Sequence, residues 1–102
     1  MTKEETHYTL IGQKLKGAEI SQMFGKPCLK TNGKAFVCFF ENEMVFKLPG
    51  DAHDEALNLK GSKLFDPSGK KRPMKEWVQV PHDNKDKWDK FAKSALKYVN
   101  GK

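Results

Sequence analysis

The dipeptide Asn32-Gly33 constrains the fold of this chain more than any other feature of the sequence. It stands between two β-prone runs, and both central residues of a type I′ turn need a positive φ angle. Asn and Gly tolerate that conformation best, so the dipeptide predicts a two-residue β-hairpin. In such a hairpin Thr31 faces Lys34, and each further pair lies one residue outward on both strands.

Both cysteines lie within this predicted hairpin. Uninterrupted pairing sets Cys28 opposite Val37 and Cys38 opposite Pro27. Because side chains alternate between the faces of a strand, the two thiols are predicted on opposite faces, where a disulfide between them has poor geometry. Their spacing also lacks the C-x-x-C pattern of thioredoxin-type sites. We therefore expect both cysteines to be buried hydrophobic side chains.

The same stretch contains glycine and lysine residues of the kind that phosphate-binding loops use. A P-loop follows G-x-x-x-x-G-K-[ST] and joins a strand to a helix, so that amide groups and the helix N-terminus converge on the anion. Here Gly33-Lys34 leads into an aromatic strand, and no Ser or Thr follows. The pattern therefore excludes a P-loop.

Apolar periodicity and turn residues predict the remaining elements. Helices are expected over residues 3–15 with Thr2 as N-cap, from Asp51 as N-cap to Gly61, and from Asp83 or Asn84 to about Asn100. Further strands are expected in a second hairpin turning at Glu41–Glu43, in "SKLF" and in "KEWVQV". The predicted fold class is α+β: one antiparallel sheet of about five strands with three helices packed on it, in a single domain over residues 1–102.

The composition is typical of a soluble globular protein, since 37% of the 102 residues are apolar and 31% are charged. The longest apolar run, Ala35–Phe40, is far shorter than the roughly 20 residues that span a bilayer. The N-terminal residues "MTKEETHY" lack the apolar core of a signal peptide. We therefore expect a cytoplasmic protein with no membrane partner and with reduced thiols.

The net charge of +6 is unevenly distributed along the chain. Residues 35–59 hold one lysine and five acidic residues, whereas residues 60–75 hold six basic residues and one acidic residue. A basic segment favours a polyanionic partner such as nucleic acid, because a basic loop can lie along the phosphate backbone. The predicted nucleic-acid-binding residues are Lys63, Lys70, Lys71, Arg72 and Lys75.

Two neighbouring features would extend this basic surface. Lysines of the last helix contribute if its polar face lies near the segment; they are Lys85, Lys90, Lys93 and Lys97. Trp77 could stack on bases, although an alternating strand more often buries its tryptophan. Lysine-rich surfaces also serve solubility, so the sequence leaves a binding role and a solubility role open.

No combination of residues in the sequence indicates a catalytic, metal or cofactor site. His7, His53 and His82 are scattered and show none of the spacings of metal centres. The acidic residues of "DAHDE" are explained by the first turn of a helix, and His82 with Asp83 by a turn and a cap. We therefore expect a protein that is not an enzyme and that uses no cofactor.

A protein partner is the alternative to nucleic acid. Every residue of Ala35–Phe40 is apolar, which requires cover on both faces of the strand, from helices of this chain or from another chain. The sequence thus allows a protein-interaction module that uses a sheet face or an edge strand to bind a partner or to form a homodimer. A binder or enzyme for a small anionic ligand is a third class, which would need a deep pocket with convergent polar groups.

The segments "MFGKPCLKTNGKAFVCFFENEMVFKLP" and "LFDPSGK…RPM…WVQVP", followed by a lysine-rich helix, together resemble the TfoX (Sxy) N-terminal domain. That family has M-F-G-G, then N-G-K-x-F-A, then a short acidic turn and an L-Y-L-K run. The matching positions are Met23, Phe24, Gly25, Asn32, Gly33, Lys34, Phe36, Met44, Phe46 and Lys47. The C-terminal part, "KEWVQVP…WDKFAKSALKYV", is similar to MmcQ/YjbR-like proteins.

This resemblance, which covers roughly residues 18–100, implies a YjbR-like two-layer α/β sandwich and a regulatory or DNA-binding role. Full-length TfoX proteins regulate competence genes and carry a separate C-terminal domain, so that the competence role is not expected of residues 1–102. The related fold also resembles that of secretion chaperones, which bind protein. Lys26 stands where the family has its second glycine, and the family brings no catalytic residues to transfer.

Overall fold

The computed structural model of the chain describes residues 2–23, 26–66 and 74–100. The elements in chain order are α1 (Lys3–Lys14), β1 (Glu19–Met23), β2 (Lys26–Thr31), β3 (Lys34–Phe40), β4 (Glu43–Lys47), α2 (Gly50–Leu57), β5 (Lys63–Phe65), β6 (Met74–Val80) and α3 (Lys85–Asn100). Within these residues six strands form one antiparallel sheet in the order β1-β2-β3-β4-β6-β5. The α+β prediction is confirmed, with β1 as a strand that the sequence patterns did not predict. Phe24 and Gly25, on which part of the family resemblance rests, lie outside the described residues.

The Asn32-Gly33 turn is present, with φ angles of 51° and 79° at its two residues. The hairpin starts in the predicted register, with Thr31 opposite Lys34 and Lys30 opposite Ala35. The register then shifts by one residue, so that Leu29 pairs with Val37. Phe36 is thus an extra residue in β3, which makes the site a β-bulge.

The bulge overturns the predicted placement of the cysteines. Beyond Phe36, Cys28 pairs directly with Cys38 rather than with Val37, so both thiols lie on the same face of the sheet. The prediction was wrong because it carried the register of the turn through the whole hairpin. One inserted residue moves every later side chain of a strand to the other face relative to its partner strand.

Local signals fix most other element ends as predicted. The Thr2 hydroxyl accepts a hydrogen bond from the Glu5 amide at 3.1 Å and caps α1. A second hairpin turns at Glu41 and Asn42, whose φ angles of 52° and 63° are those of a tight turn. The predicted cap of the middle helix was wrong, because α2 begins at Gly50 after Pro49, which places Asp51 within its first turn. The predicted end at Gly61 was also wrong, because α2 ends at Leu57 with Asn58 as its C-cap.

Helices α1, α2 and α3 cover one face of the sheet and form the main core with it, α2 through Ala56 and its packing on β6. On α3 the predicted apolar stripe is buried, including Trp88, Ala92, Ala95 and Val99. Phe91 of the same helix packs on Phe46 of β4, with ring centroids 5.8 Å apart. Since burying a large apolar side chain contributes about 1.5–3 kcal/mol, this interface holds α3 against the sheet.

The end of α3 is also tied to the first hairpin turn by hydrogen bonds. The Thr31 hydroxyl and the Asn32 side-chain amide both donate to Oδ1 of Asn100, at 3.0 and 3.1 Å. Thr31 is 2% exposed, so its hydroxyl needs this partner. The turn between β2 and β3 is therefore hydrogen-bonded to Asn100 in the last turn of α3.

Gly12 lies where α1 packs closely on the sheet. A Cβ atom at Gly12 would lie 2.7 Å from Cδ2 of Leu29, which is fully buried. We predict that Gly12→Ala lowers the free energy of unfolding by about 1 kcal/mol, since overpacking costs about 1–3 kcal/mol and the gain in helix propensity is about 1 kcal/mol. Urea unfolding of wild type and variant measures the difference.

Gly50→Ala is the matched control for this experiment. A Cβ atom at Gly50 would meet no atom within 4 Å, and the residue begins α2 without a positive φ angle. We expect this variant to be as stable as wild type or slightly more stable. Equal effects of the two substitutions would contradict close packing of α1 on Leu29.

Candidate functional site

The described part of the predicted basic site consists of Lys63 on β5 and Lys75 on β6, both exposed. The two strands pair with each other, with Lys63 opposite Gln79 and Phe65 opposite Met74. The ends of β5 and β6 therefore lie side by side at the point where residues 67–73 connect them. Lys70, Lys71 and Arg72 belong to that connection and lie outside the described residues.

Lys63 belongs to a row of side chains that crosses the sheet on the face opposite α1 and α3. Register partners place in this row Ser21, Cys28, Cys38, Val45, Gln79 and Lys63. The buried apolar residues of this face form a second, smaller core of Cys28, Cys38, Val45, Phe65 and Trp77. We call this side of the sheet the curled face.

The sheet curls around this face until distant strands touch. Phe40 on β3 and Phe65 on β5 have ring centroids 5.3 Å apart, although β4 and β6 lie between their strands. Three strand spacings would separate β3 from β5 by about 14 Å in a flat sheet. The contact therefore brings the two halves of the curled face together and buries residues that no helix covers.

A third lysine contacts the aromatic pair that closes the curl. The Lys26 ammonium lies 4.6 Å from the centroid of the Phe40 ring, in a cation–π contact, and Phe40 in turn packs on Phe65 next to Lys63. We define Lys26, Lys63 and Lys75 as the basic rim. The sequence did not single out Lys26, because its contact with Phe40 depends on how β2 and β3 pair beyond the bulge.

Trp77 and the lysines of α3 do not extend the basic rim. Trp77 is 7% exposed within the second core, so its ring is not available for stacking on a base. Helix α3 lies over β2, β3 and β4 on the other face of the sheet. Its Lys90 forms an ion pair with Glu55 of α2 at 2.5 Å.

A second group of titratable side chains lies where α1 meets the start of α3. His7 stacks on Trp88 at 5.2 Å, and His82 packs edge-on against the same indole at 5.1 Å. A shallow groove of about 460 Å³ beside them is lined by Lys3, His7, His82, Lys85, Asp86 and Asp89. No local pattern in the sequence indicates this cluster, since residues 7 and 82 meet only through tertiary packing.

Burial lowers the pKa of His7 below its ordinary value of 6.5. The Asp89 carboxylate opposes this effect by favouring the charged imidazolium. The charges of His82, Lys85 and Lys14 lower the pKa of His7 further. The folded protein therefore favours the neutral form of the His7 imidazole, which stacks on the Trp88 indole.

Within residues 2–23, 26–66 and 74–100 no three His, Cys, Asp or Glu side chains come together as a metal site. In those ranges no helix has both the length and the apolar character needed to cross a bilayer. Comparisons of the chain with models of protein families, with curated proteins and with solved structures found no match.

The depressed pKa of His7 predicts how stability changes with pH. The unfolded chain binds a proton at His7 more readily than the folded chain, so the free energy of unfolding falls as pH drops below about 6.5. We expect His7→Gln to reduce this loss, measured by urea unfolding at several pH values between neutral and mildly acidic. Lys93→Gln, a change of one exposed residue on α3, should keep the wild-type slope. An unchanged slope in His7→Gln would contradict a depressed pKa at this site.

Proposed function

We propose that this chain is a non-enzymatic domain of the TfoX N-terminal type that binds the phosphate backbone of nucleic acid through its basic rim. The observation that carries the proposal is the position of Lys63 and Lys75 on two paired strands. Those strands flank a connection whose sequence contains Lys70, Lys71 and Arg72. Five basic residues thus belong to one hairpin, as in the wings that some DNA-binding proteins lay along a phosphate backbone.

The burial of the aromatic residues limits what such an interface reads. Base stacking needs an exposed ring, whereas Phe65 and Trp77 are 3% and 7% exposed. Lysine contacts to phosphate supply affinity and position but carry no sequence information. The proposed activity is therefore binding that depends strongly on salt and weakly on base sequence.

The ion pairs of the described residues also favour the basic rim as the binding surface. Lys47, the one lysine within residues 35–59, lies 3.8 Å from Glu76, so its charge is partly balanced. The pairing of Lys90 with Glu55 reduces the positive field of α3 in the same way. No such ion pair is found for Lys26, Lys63 or Lys75 within the described ranges.

Titration of the full chain with a duplex of about 20 base pairs, at about 50 mM and about 200 mM salt, tests the proposal. Phosphate contacts by the three lysines of the basic rim alone predict that affinity falls roughly 40-fold between these two salt concentrations, and contacts by Lys70, Lys71 and Arg72 would make the fall steeper. Replacing Lys63 and Lys75 by Gln should weaken binding and reduce the logarithmic salt slope by about 2. Fluorescence anisotropy with two unrelated duplex sequences measures affinity, slope and sequence preference.

Lys16→Gln with Lys93→Gln is the control, because it removes the same charge from exposed positions away from β5 and β6. We expect the control to bind nearly as wild type does. Separate neutralisation of Lys70, Lys71 and Arg72 reports on the rest of the hairpin. The proposal fails if low salt gives no binding, or if the control and the rim variant lose affinity equally.

Association with another chain through edge strand β1 is the second candidate. Ile20 on this strand is 57% exposed, and β1 has no neighbour on its outer side within the described sheet. Unpaired edge strands with apolar side chains can pair with another strand. The buried positions of β3 give no support to this candidate, because Phe36, Val37, Cys38 and Phe39 are covered by the chain itself.

Light scattering on an eluting size-exclusion column tests self-association. We predict that any dimer formed through β1 is lost in Ile20→Lys, since a charged residue on an edge strand opposes strand pairing. Leu57→Lys, which changes another exposed apolar residue on α2, should leave the dimer intact. A monomer at the highest accessible concentration in wild type would overturn this candidate.

A further inference from the structure

Cys28 and Cys38 are direct register partners on adjacent antiparallel strands, and both are free thiols. Directly opposed residues of such strands have Cβ atoms about 4.5–5.5 Å apart, and a disulfide needs about 3.5–4.5 Å. A small approach of β2 to β3 therefore suffices to join the two sulfur atoms. We propose that Cys28 and Cys38 form a redox-active dithiol that closes to an intramolecular disulfide by exchange with a small-molecule disulfide.

The surroundings of the two thiols restrict when this reaction occurs. Cys28 is 0% and Cys38 2% exposed, in the second core with Val45, Phe65 and Trp77. Burial raises the pKa of the Cys28 thiol and raises that of Cys38 to about 12, so the folded protein holds both as unreactive thiols. Neither sulfur can receive a bulky partner while the sheet is closed.

The edge of the sheet provides the route to Cys28. Its register partner on the other side is Ser21 of β1, and β1 is the outermost strand at this edge. Edge elements open locally at a lower free energy than the centre of a sheet. Separation of β1 from β2 exposes Cys28 first, so Cys28 is the attacking residue and Cys38 is the resolving residue.

The exchange balances with the small disulfide as the oxidant. The Cys28 thiolate, after losing its proton to solvent, attacks one sulfur of the small disulfide and releases one small thiolate, which takes up a proton. The Cys38 thiolate then attacks the Cys28 sulfur of the mixed disulfide and releases the second small thiolate, which is protonated in turn. Two cysteines are oxidised by one electron each, and the small disulfide is reduced by two electrons.

The Cys28–Cys38 disulfide would join β2 covalently to β3 next to the bulge at Phe36. The bond closes the loop that contains the Asn32-Gly33 turn, which restricts the unfolded chain. For a loop of this size we expect the thermal midpoint of unfolding to rise by about 10 °C. Oxidation would therefore stabilise the hairpin that underlies both cores.

Oxidised glutathione, incubated with the folded full chain at mildly alkaline pH, tests the proposal. Expected are a monomer lighter by two hydrogen atoms, a Cys28–Cys38 cross-linked peptide after digestion, and the higher thermal midpoint. Reduction should restore both thiols and the original midpoint. Cys28→Ser, which keeps one thiol, should give no intramolecular bond and no rise in the midpoint.

A second variant distinguishes the observed register from a register without the bulge. Val37→Cys with Cys38→Ser keeps two thiols but places them on opposite faces in the observed register. In a hairpin without the bulge, residue 37 would face Cys28 instead. We expect wild type to cross-link at least about 10-fold faster than this variant, since thiols on opposite faces cannot meet without strand separation.

Three outcomes would overturn the proposal. The first is faster cross-linking in the double variant than in wild type. The second is a wild-type product that contains only glutathione adducts or intermolecular dimers. The third is no reaction of either thiol in wild type, even at urea concentrations just below the unfolding transition, where local opening is frequent. If the double variant does not fold, the peptide map and midpoint of wild type against Cys28→Ser still decide the question.

Discussion

The extra residue in β3, Phe36, is the constraint on which the rest of the sheet depends. It shifts the pairing between β2 and β3 by one, so that Phe36 and Val37 both face the helices. The side chains that follow then alternate from this new register, which sends Cys38 to the curled face and Phe39 to the main core. Without the bulge, either the α3 interface or the second core would receive the wrong side chains.

The two apolar faces of the sheet are covered in two different ways. On one face the three helices supply the cover, and aromatic residues of sheet and helix pack on each other. On the other face the sheet bends over itself, so that Phe40 of β3 reaches Phe65 of β5. Phe36, Val37, Cys38 and Phe39 of the apolar run are therefore buried by the chain itself. The Lys26 ammonium contacts the ring of Phe40, which takes part in this curl.

The distribution of charge follows from the same geometry. Acidic residues of α2 and the start of β6 lie near lysines of α3 and β4, as the pairs Lys90–Glu55 and Lys47–Glu76 show. Lys63 and Lys75 of the basic rim are exposed on β5 and β6, and neither forms an ion pair within the described ranges. The cysteine pair lies in the same cross-strand row as Lys63.

Much of the fold was predictable from residues that act locally. Asn32-Gly33 specified a turn because both residues accept positive φ angles, and Thr2 specified the start of α1 because its hydroxyl caps the Glu5 amide. The spacing of Trp88, Ala92 and Ala95 specified the buried side of α3. Lys63 and Lys75 lie on two paired strands. The sequence predicted strands at both positions, in "SKLF" and in "KEWVQV".

The remaining features were decided only by tertiary packing. In the uniformly apolar run Ala35–Phe40 no residue marks itself as the inserted one, so the bulge at Phe36 and the meeting of the cysteines had no local signal. The contact of His7 with His82 through Trp88 joins residues far apart in the chain, as does the contact of Phe40 with Phe65. By itself the sequence determined turns, caps and amphipathic faces, because these depend on backbone preferences and periodicity within a few residues. The register beyond the turn, the curl of the sheet and the groups gathered by it were decided by which arrangement buries both apolar faces at once.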